Sequence, residues 1–214
     1  MKPGDGSFKT RADEHGFVAR YPDGGCLVNL VGGYDYLELG YYTSQDQEAA
    51  GRLIHPTLEE ALDAYVPPLF LEKGRWAGLR VPEFYISNGY FEPPVVIDPI
   101  NPFMIKSRLV LKPGRERAIS KSMTRNFTYA ICCQELTENA KVTYFRSVLG
   151  WSLSPRFRAL SEMVWNVYRI PLARVRVIEI PGEDPLLSDI GPLPFTGLKA
   201  RELAYLEERV QWGE

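Results

Sequence analysis

Apolar and polar positions along the chain change period several times, and the changes mark the elements. Cys26-Leu27-Val28-Asn29-Leu30 is a short apolar run ending at Gly32-Gly33, the pattern of a buried strand with a sharp exit. From Tyr36 to about Ala50 the pattern predicts a helix, stopped by Gly51. Thr57 and Glu60 form a capping-box pair at the start of a second helix, in which Leu58, Ala61, Leu62 and Tyr65 share one face. Residues 1–25 are polar and Gly-rich and read as loop, with at most a short strand at Phe17-Val18-Ala19-Arg20.

The middle of the chain has a shorter rhythm. Leu69-Phe70-Leu71, Pro82 to Ile86 and Val95-Val96-Ile97 are strand candidates separated by Pro and Gly. Met104 to Lys112 is a longer strand that ends in the turn Pro113-Gly114, and residues 116–125 form a short helix. Phe127 to Gln134 and Val142 to Leu149, rich in β-branched and aromatic residues, read as central strands. Ser154 and Pro155 open a helix carrying Phe157, Leu160, Val164 and Val167, and Pro171 closes it. Val175 to Ile180 alternates as a half-buried strand, residues 181–197 read as Pro/Gly-rich loop, and Leu198 to Val210 as a final amphipathic helix. The expectation is one α+β domain over 26–214, behind a polar segment 1–25. It has a mixed β-sheet and several flanking helices, and is α/β-like in its N-terminal part.

Composition narrows the class without naming a function. With 45% apolar and 24% charged residues, the 214-residue chain can bury an ordinary core without staples. Its net charge of -2 gives no global pull toward nucleic acid or membrane. No run approaches the roughly 18 apolar residues of a membrane span, and no secretory leader stands at the N-terminus. Cys26, Cys132 and Cys133 cannot all pair, and adjacent residues on a strand face opposite ways, so a cytoplasmic protein with reduced thiols is expected. His15 and His55 lack metal-ligand spacing, and no phosphate-cradling glycine loop is present, so no metal and no cofactor are expected.

Two segments depart from this background. Lys106 to Arg125 carries a net +6, which leaves -8 for the rest of the chain. Such a segment is either a solvated face or an anion site, with Lys112, Arg115, Arg117, Lys121, Arg125 and Asn126 as its candidate residues. Few aromatics interleave with these cations, which counts against single-stranded nucleic acid and leaves an acidic peptide or a small anion as the better ligand. Between Tyr34 and Tyr42 there are four tyrosines in nine residues, just past a buried strand, where ligands bind in α/β arrangements.

At these residues the chain resembles a known family. Asn29-Leu30, then Tyr34-x-Tyr36, then Gly40-Tyr41-Tyr42-x-Ser44 resembles the signature of the RimK-like ATP-grasp N-terminal domain, the module usually fused ahead of a RimK-like ligase. Tyr144-Phe145-Arg146, Arg156-Phe157 and Ile170 to Val175 follow that family's later strand-helix-strand order. Val31-Gly32-Gly33 departs from the turn expected there. The resemblance covers about residues 26–65 and 140–210, and implies an accessory module, non-catalytic by itself, that presents substrate or docks an ATP-grasp ligase in trans. Asn29, Tyr34, Tyr36, Gly40, Tyr41, Tyr42 and Ser44 would form its ligand or partner surface. The alternatives are a polyanion-binding module (RNA or acidic peptide) built on the 106–125 segment and a small-molecule enzyme with its site at the tyrosine-rich helix start.

Overall fold

The computed structural model describes residues 17–101 and 106–212, so the expectations for residues 1–16, with His15, and for Met104 fall outside the described residues. In chain order its elements are β1 (Val18–Tyr21), β2 (Cys26–Asn29), α1 (Leu39–Ala49), β3 (Ile54–His55), α2 (Leu58–Tyr65), α3 (Pro67–Trp76), β4 (Phe84–Ser87), β5 (Val95–Pro99), β6 (Arg108–Val110), α4 (Glu116–Met123), β7 (Ile131–Glu135), β8 (Lys141–Val148), α5 (Arg158–Tyr168), β9 (Leu172–Glu179), β10 (Leu186–Pro192), α6 (Ala200–Glu207) and β11 (Gln211–Trp212). The chain is an α+β fold with a mixed sheet and flanking helices, as expected, and it forms two compact units.

Unit one holds the residues up to Leu62, Phe145–Arg174 and those from Gly191 on. Its sheet has the order β11-β1-β2-β3, with β1 antiparallel to β11 and β2, and β2 parallel to β3. The apolar positions that defined the strand at Cys26 are the ones buried here. Val28 and Leu30 join Val148, Trp165, Leu172, Phe195 and Leu206 in one core. Edge-to-face contacts of Phe195 with Phe17 and Trp212, and of Tyr21 with Trp165, fix rings within it. α1 begins at Leu39, three residues later than the periodicity predicts, because residues 35–38 form a turn in which the Glu38 amide donates to the Asp35 carbonyl at 2.8 Å. It ends as expected at Gly51, which takes the left-handed conformation (φ +71°).

Unit two holds Asp63–Tyr144 and Val175–Ile190. Its sheet, β4-β7-β5-β6, is antiparallel throughout, with Ile97 opposite Cys133 and Asp98 opposite Cys132. Successive side chains therefore alternate between two buried faces. Val95, Ile97, Ile131 and Cys133 pack with Phe91, Val110 and Met123 on one. The other carries Asp98, Cys132 and Gln134.

Three expectations need correction. Leu69-Phe70-Leu71 lies in α3, not in a strand: Pro67 and Pro68 start the helix, and Phe70, Leu71 and Gly74 form its buried face. Residues 181–197 are not all loop, because Leu186 to Pro192 is strand β10, with Leu187 and Ile190 buried and the Leu187 amide donating to the Arg80 carbonyl at 2.7 Å. The strand expected from Phe127 begins at Ile131, since Arg125, Asn126 and Phe127 all adopt positive φ. A third sheet has the strand order β10-β9-β8.

Candidate functional site

The most unusual side chain in unit two is Arg176 of β9. An alternating strand would place it toward solvent, yet it is 1% exposed and is among the largest fully buried residues. A guanidinium is tolerated there only if its charge and its five N–H groups are all satisfied. Nη1 and Nη2 donate to the two oxygens of Asp98 at 2.9 and 2.7 Å, a bidentate pair. Nη1 also donates to Ser107 Oγ at 2.8 Å, Nε to Ser188 Oγ at 2.9 Å, and Nη2 to the Ser188 carbonyl at 3.4 Å. The remaining acceptor capacity of Asp98 is taken by Ser107 Oγ and by Gln134 Nε2, and Ser188 Oγ closes the circuit by donating to Gln134 Oε1 at 2.7 Å.

Asp189 is the surplus member. Its Oδ2 lies 3.6 Å from Arg176 Nη1, beyond hydrogen-bond distance, and its side chain keeps 26% of its surface open while Asp98 and Arg176 keep 2% each. Burial pushes its carboxyl up to about 7, against the pull of Arg176, and the charge of Asp98 adds to the rise. The physical reason is charge balance: Asp98 already neutralises Arg176, so a second carboxylate leaves the group one negative charge in excess. Burial alone would lower the Arg176 pKa, but Asp189 and Asp98 outweigh it and hold the cation charged. Cys132, on the same sheet face, has its thiol pushed up by burial and by Asp98, and Cys133 on the opposite face is pushed up to about 12 by burial. Both thiols are free, buried and protonated at neutral pH, which makes them packing groups. Among the described residues no three His, Cys, Asp or Glu side chains are grouped to hold a metal ion. With both Asp98 oxygens engaged, the cluster does not fit a divalent cation.

In unit one the structure brings together Asn29, Tyr34, Gly40 and Ser44. Asn29 Nδ2 donates to the Gly40 carbonyl at 2.6 Å and to Ser44 Oγ at 3.0 Å, and its Oδ1 accepts the Val31 amide at 3.1 Å. The Tyr34 hydroxyl donates to the Asn29 carbonyl at 2.7 Å, and burial pushes its pKa far up. Gly40 is required by close approach, since a Cβ there would collide with the Gly33 carbonyl. Tyr36 and Tyr42 are separated from this knot and reach the surface, 40% and 49% exposed, while Tyr41 is half-buried with its ring edge-on to Tyr42. His55 is engaged locally, with Nδ1 2.8 Å from the Glu60 oxygen that also accepts the Thr57 amide.

The basic residues Lys112, Arg115, Arg117, Lys121 and Arg125, with Asn126, are all exposed, on α4 and the turns flanking it. Arg117 lines a cleft of about 660 Å³ whose other walls are Gly89 to Pro93, Pro113, Glu116 and Phe127. The turn that presents Phe127 is strained: Arg125, Asn126 and Phe127 have φ of 49°, 60° and 64°, a conformation that costs about 1–2 kcal/mol per non-glycine residue. Backbone bonds from Asn126 to the Lys121 carbonyl and from Phe127 to Thr124 Oγ1, both 2.7 Å, hold it there.

Comparison with known proteins fixes the fold and revises the functional expectation. No family model and no curated protein matches the chain significantly. Solved structures do. A RimK domain ATP-grasp protein from Sphaerobacter thermophilus is similar at TM-score 0.57 and 16% identity, over 77% of this chain and 70% of that one. D-alanine-D-alanine ligase from Helicobacter pylori is similar at TM-score 0.59 and 13% identity, over 80% and 68%. The Bacillus anthracis enzyme of the same name, complexed with ATP, is similar at TM-score 0.52 and 10% identity, over 72% and 64%. The likeness thus runs through both units and through most of each of those chains. A separate N-terminal module would not match in this way, so the expectation of a non-catalytic accessory module is overturned. The finer resemblance to the N-terminal domain gives way to a coarser statement: the chain has an ATP-grasp-like fold.

Proposed function

We propose that the protein is a ligase that uses ATP to join a carboxylate to an amine, and that Asp189 takes the proton the amine must lose. The observation that carries this reading is the likeness to these structures across 72–80% of the chain, two of which are ligases by name and one of which is complexed with ATP. An ammonium has no lone pair, so amide formation needs a base, and a base works best when its pKa lies near the working pH. Asp189 meets that condition and is partly open, whereas Asp98 is sealed. All five N–H groups of Arg176 are committed, so Asp189 can gain or lose a proton without dismantling the network.

The test is a panel of amino acids and carboxylic acids incubated with ATP, followed by phosphate release and by mass spectrometry of the products. Amine-dependent phosphate release is expected, and Asp189→Asn should lower it by about 10²–10⁴-fold, the usual contribution of a general base. ATP binding without amine-dependent turnover across the whole panel would sink the reading.

A further inference from the structure

Asp189 makes no hydrogen bond to Arg176, so another contact must keep its carboxylate 3.6 Å from the guanidinium. The residue before it is the one that is held. Ser188 is fully buried, and both of its oxygens are engaged. Its Oγ accepts Arg176 Nε at 2.9 Å and donates to Gln134 Oε1 at 2.7 Å, while its carbonyl accepts Gln134 Nε2 at 2.9 Å. The same Nε2 also donates to Asp98 Oδ2 at 2.6 Å. We infer that Gln134 is a positioning residue for Asp189: it clamps Ser188 to Asp98 and so fixes the neighbouring carboxylate beside the Arg176–Asp98 pair. The inference rests on Asp189 as the base of the proposed ligation.

Gln134 lies on β7, opposite Phe84 of β4 and Val96 of β5, and is fully buried. Its carboxamide offers two N–H donors and an acceptor oxygen, and all three are used. The amide cannot be turned over, because its oxygen would then face Asp98 Oδ2 at 2.6 Å, acceptor against acceptor. Two of the three bonds converge on Ser188, one on its side chain and one on its backbone. They oppose both a rotation of that side chain and a slide of β10. Satisfaction of the buried oxygens does not by itself call for this arrangement. Arg176 already donates to both Ser188 oxygens, at 2.9 and 3.4 Å, and to both oxygens of Asp98. What the glutamine adds is a link without charge. A lysine or arginine there would cancel the surplus negative charge of the group, and a glutamate would enlarge it.

The surroundings of Asp189 make its position matter. Arg176 on β9, Asp98 on β5 and the Ile190 amide on its own strand act on its carboxyl, and it acts in turn on the Cys132 thiol of β7. Tyr144 of β8 bears on Arg176. Arg176 and Asp98 supply the fixed charges, and their bidentate pairing holds both in place. The separation of Asp189 from that pair is therefore what its proton equilibrium follows, and the separation is set through Ser188. A site of this kind works only if its groups are held to within about 0.5 Å, which a directional clamp provides and apolar packing of a strand does not.

The test is an NMR titration of the Asp189 carboxyl in the full chain, for the parent, Gln134→Met, Ser188→Ala and Asn29→Ala. Methionine keeps the length of glutamine and removes all three bonds. β10 is then released at Ser188, and Asp189 can swing onto the guanidinium or out into water. Either movement favours the charged carboxylate, so its midpoint should fall by about 1–3 pH units. Ser188→Ala removes the hydroxyl link and keeps the carbonyl one, so the midpoint should move the same way by less. It also decides the question if Gln134→Met does not fold. Asn29→Ala, which weakens the knot of unit one, should leave the midpoint in place. An unchanged midpoint in the folded Gln134 or Ser188 variant, or an equal shift in Asn29→Ala, would overturn the inference. Failure of the ligase reading shows elsewhere, as a panel of acids and amines without amine-dependent phosphate release, and leaves the titrations to decide the role of Gln134. Where turnover is found, the rising limb of its pH profile should move with the NMR midpoint in Gln134→Met, a coupling that a merely structural glutamine would not produce.

Discussion

Asn29 in unit one and Arg176 in unit two both place a strongly polar side chain inside the fold, each completely satisfied, yet only one of them creates chemistry. Asn29 is neutral. Its amide nitrogen and oxygen tie strand β2 to the start of α1 through Gly40, Ser44 and Val31, and nothing in the arrangement titrates. Arg176 brings a charge that must be balanced, and the two carboxylates around it overbalance it. The excess falls on Asp189, the one with access to solvent, and moves its proton equilibrium toward neutral pH. A neutral buried group fixes the backbone around it; a charged one also tunes whatever ionises beside it.

The sharpest way to break this comparison is to remove the charge. Arg176→Met leaves Asp98 buried without its cation and should cost about 3–5 kcal/mol, read as a drop in the urea midpoint. The double variant Arg176→Met/Asp98→Leu should recover most of that loss, because well-packed apolar replacement of a buried pair is often neutral. If the single variant lies within about 1 kcal/mol of the parent, the pair is not desolvated and the contrast with Asn29 disappears. The neutral knot should respond more weakly. Asn29→Ala leaves the Gly40 carbonyl and the Val31 amide without their partner and should cost about 1–3 kcal/mol. That loss should be the same at pH 5 and pH 8, since none of the groups ionises in between; a clear pH dependence would mean that the knot is coupled to a titrating neighbour.

Asp189→Asn sharpens the comparison through its sign. An aspartate in the unfolded chain titrates near 3.9, and Asp189 in the folded chain near 7. Between those values the folded state holds a proton that the unfolded state has released, so stability falls as pH rises through that window and is level above it. With part of the side chain in water, the fall should be of order 1 kcal/mol. Denaturation midpoints at pH 4.5, 5.5, 6.5 and 7.5 should show this slope in the parent and not in the variant. A parent slope of the opposite sign would place the Asp189 pKa below its unfolded value. In turnover assays the same substitution should remove the rising limb near pH 7.

The contrast between the two groups also explains what could be read from the chain alone. Local features were legible. Thr57 Oγ1 accepts the Glu60 amide at 3.1 Å and Glu60 Oε2 accepts the Thr57 amide at 2.8 Å, the reciprocal cap that their spacing predicts. Gly51 ends its helix for an equally local reason. Asn29, Tyr34, Gly40 and Ser44 stand together in the motif that resembles the RimK-like ATP-grasp N-terminal domain, but their mutual hydrogen bonds are not foreseeable from it. Arg176 was not legible at all. Between Val175 and Val177 a charged residue reads as the solvent-facing position, and its burial depends on Asp98, 78 residues away in the chain. Asp189 was hidden differently, by prolines and glycines that made its strand look like loop. Leu69-Phe70-Leu71 misled because three apolar residues in a row fit a strand or a helix equally well, and only the prolines before them decide.

The smallest expected effect concerns the tyrosines that stand outside the knot. Tyr36 and Tyr42 are the exposed members of the motif, and neither ring belongs to the core of unit one. Replacing either with Ala should change stability by less than about 0.5 kcal/mol, the usual range for surface positions away from special features. Tyr34→Phe is the internal control. It deletes the hydroxyl that donates to the buried Asn29 carbonyl and should cost about 1–2 kcal/mol, although it changes fewer atoms. Surface rings that cost little to remove are free to serve a ligand or a partner. Kinetics separate that role from packing: if Tyr36 and Tyr42 contact substrate, their alanine variants raise KM while the melting temperature stays within a degree or two of the parent. Should both variants instead lower the melting temperature as much as Tyr34→Phe does, the two tyrosines belong to the same structural knot as Asn29, and the division between buried fastening and exposed surface within this motif would be wrong.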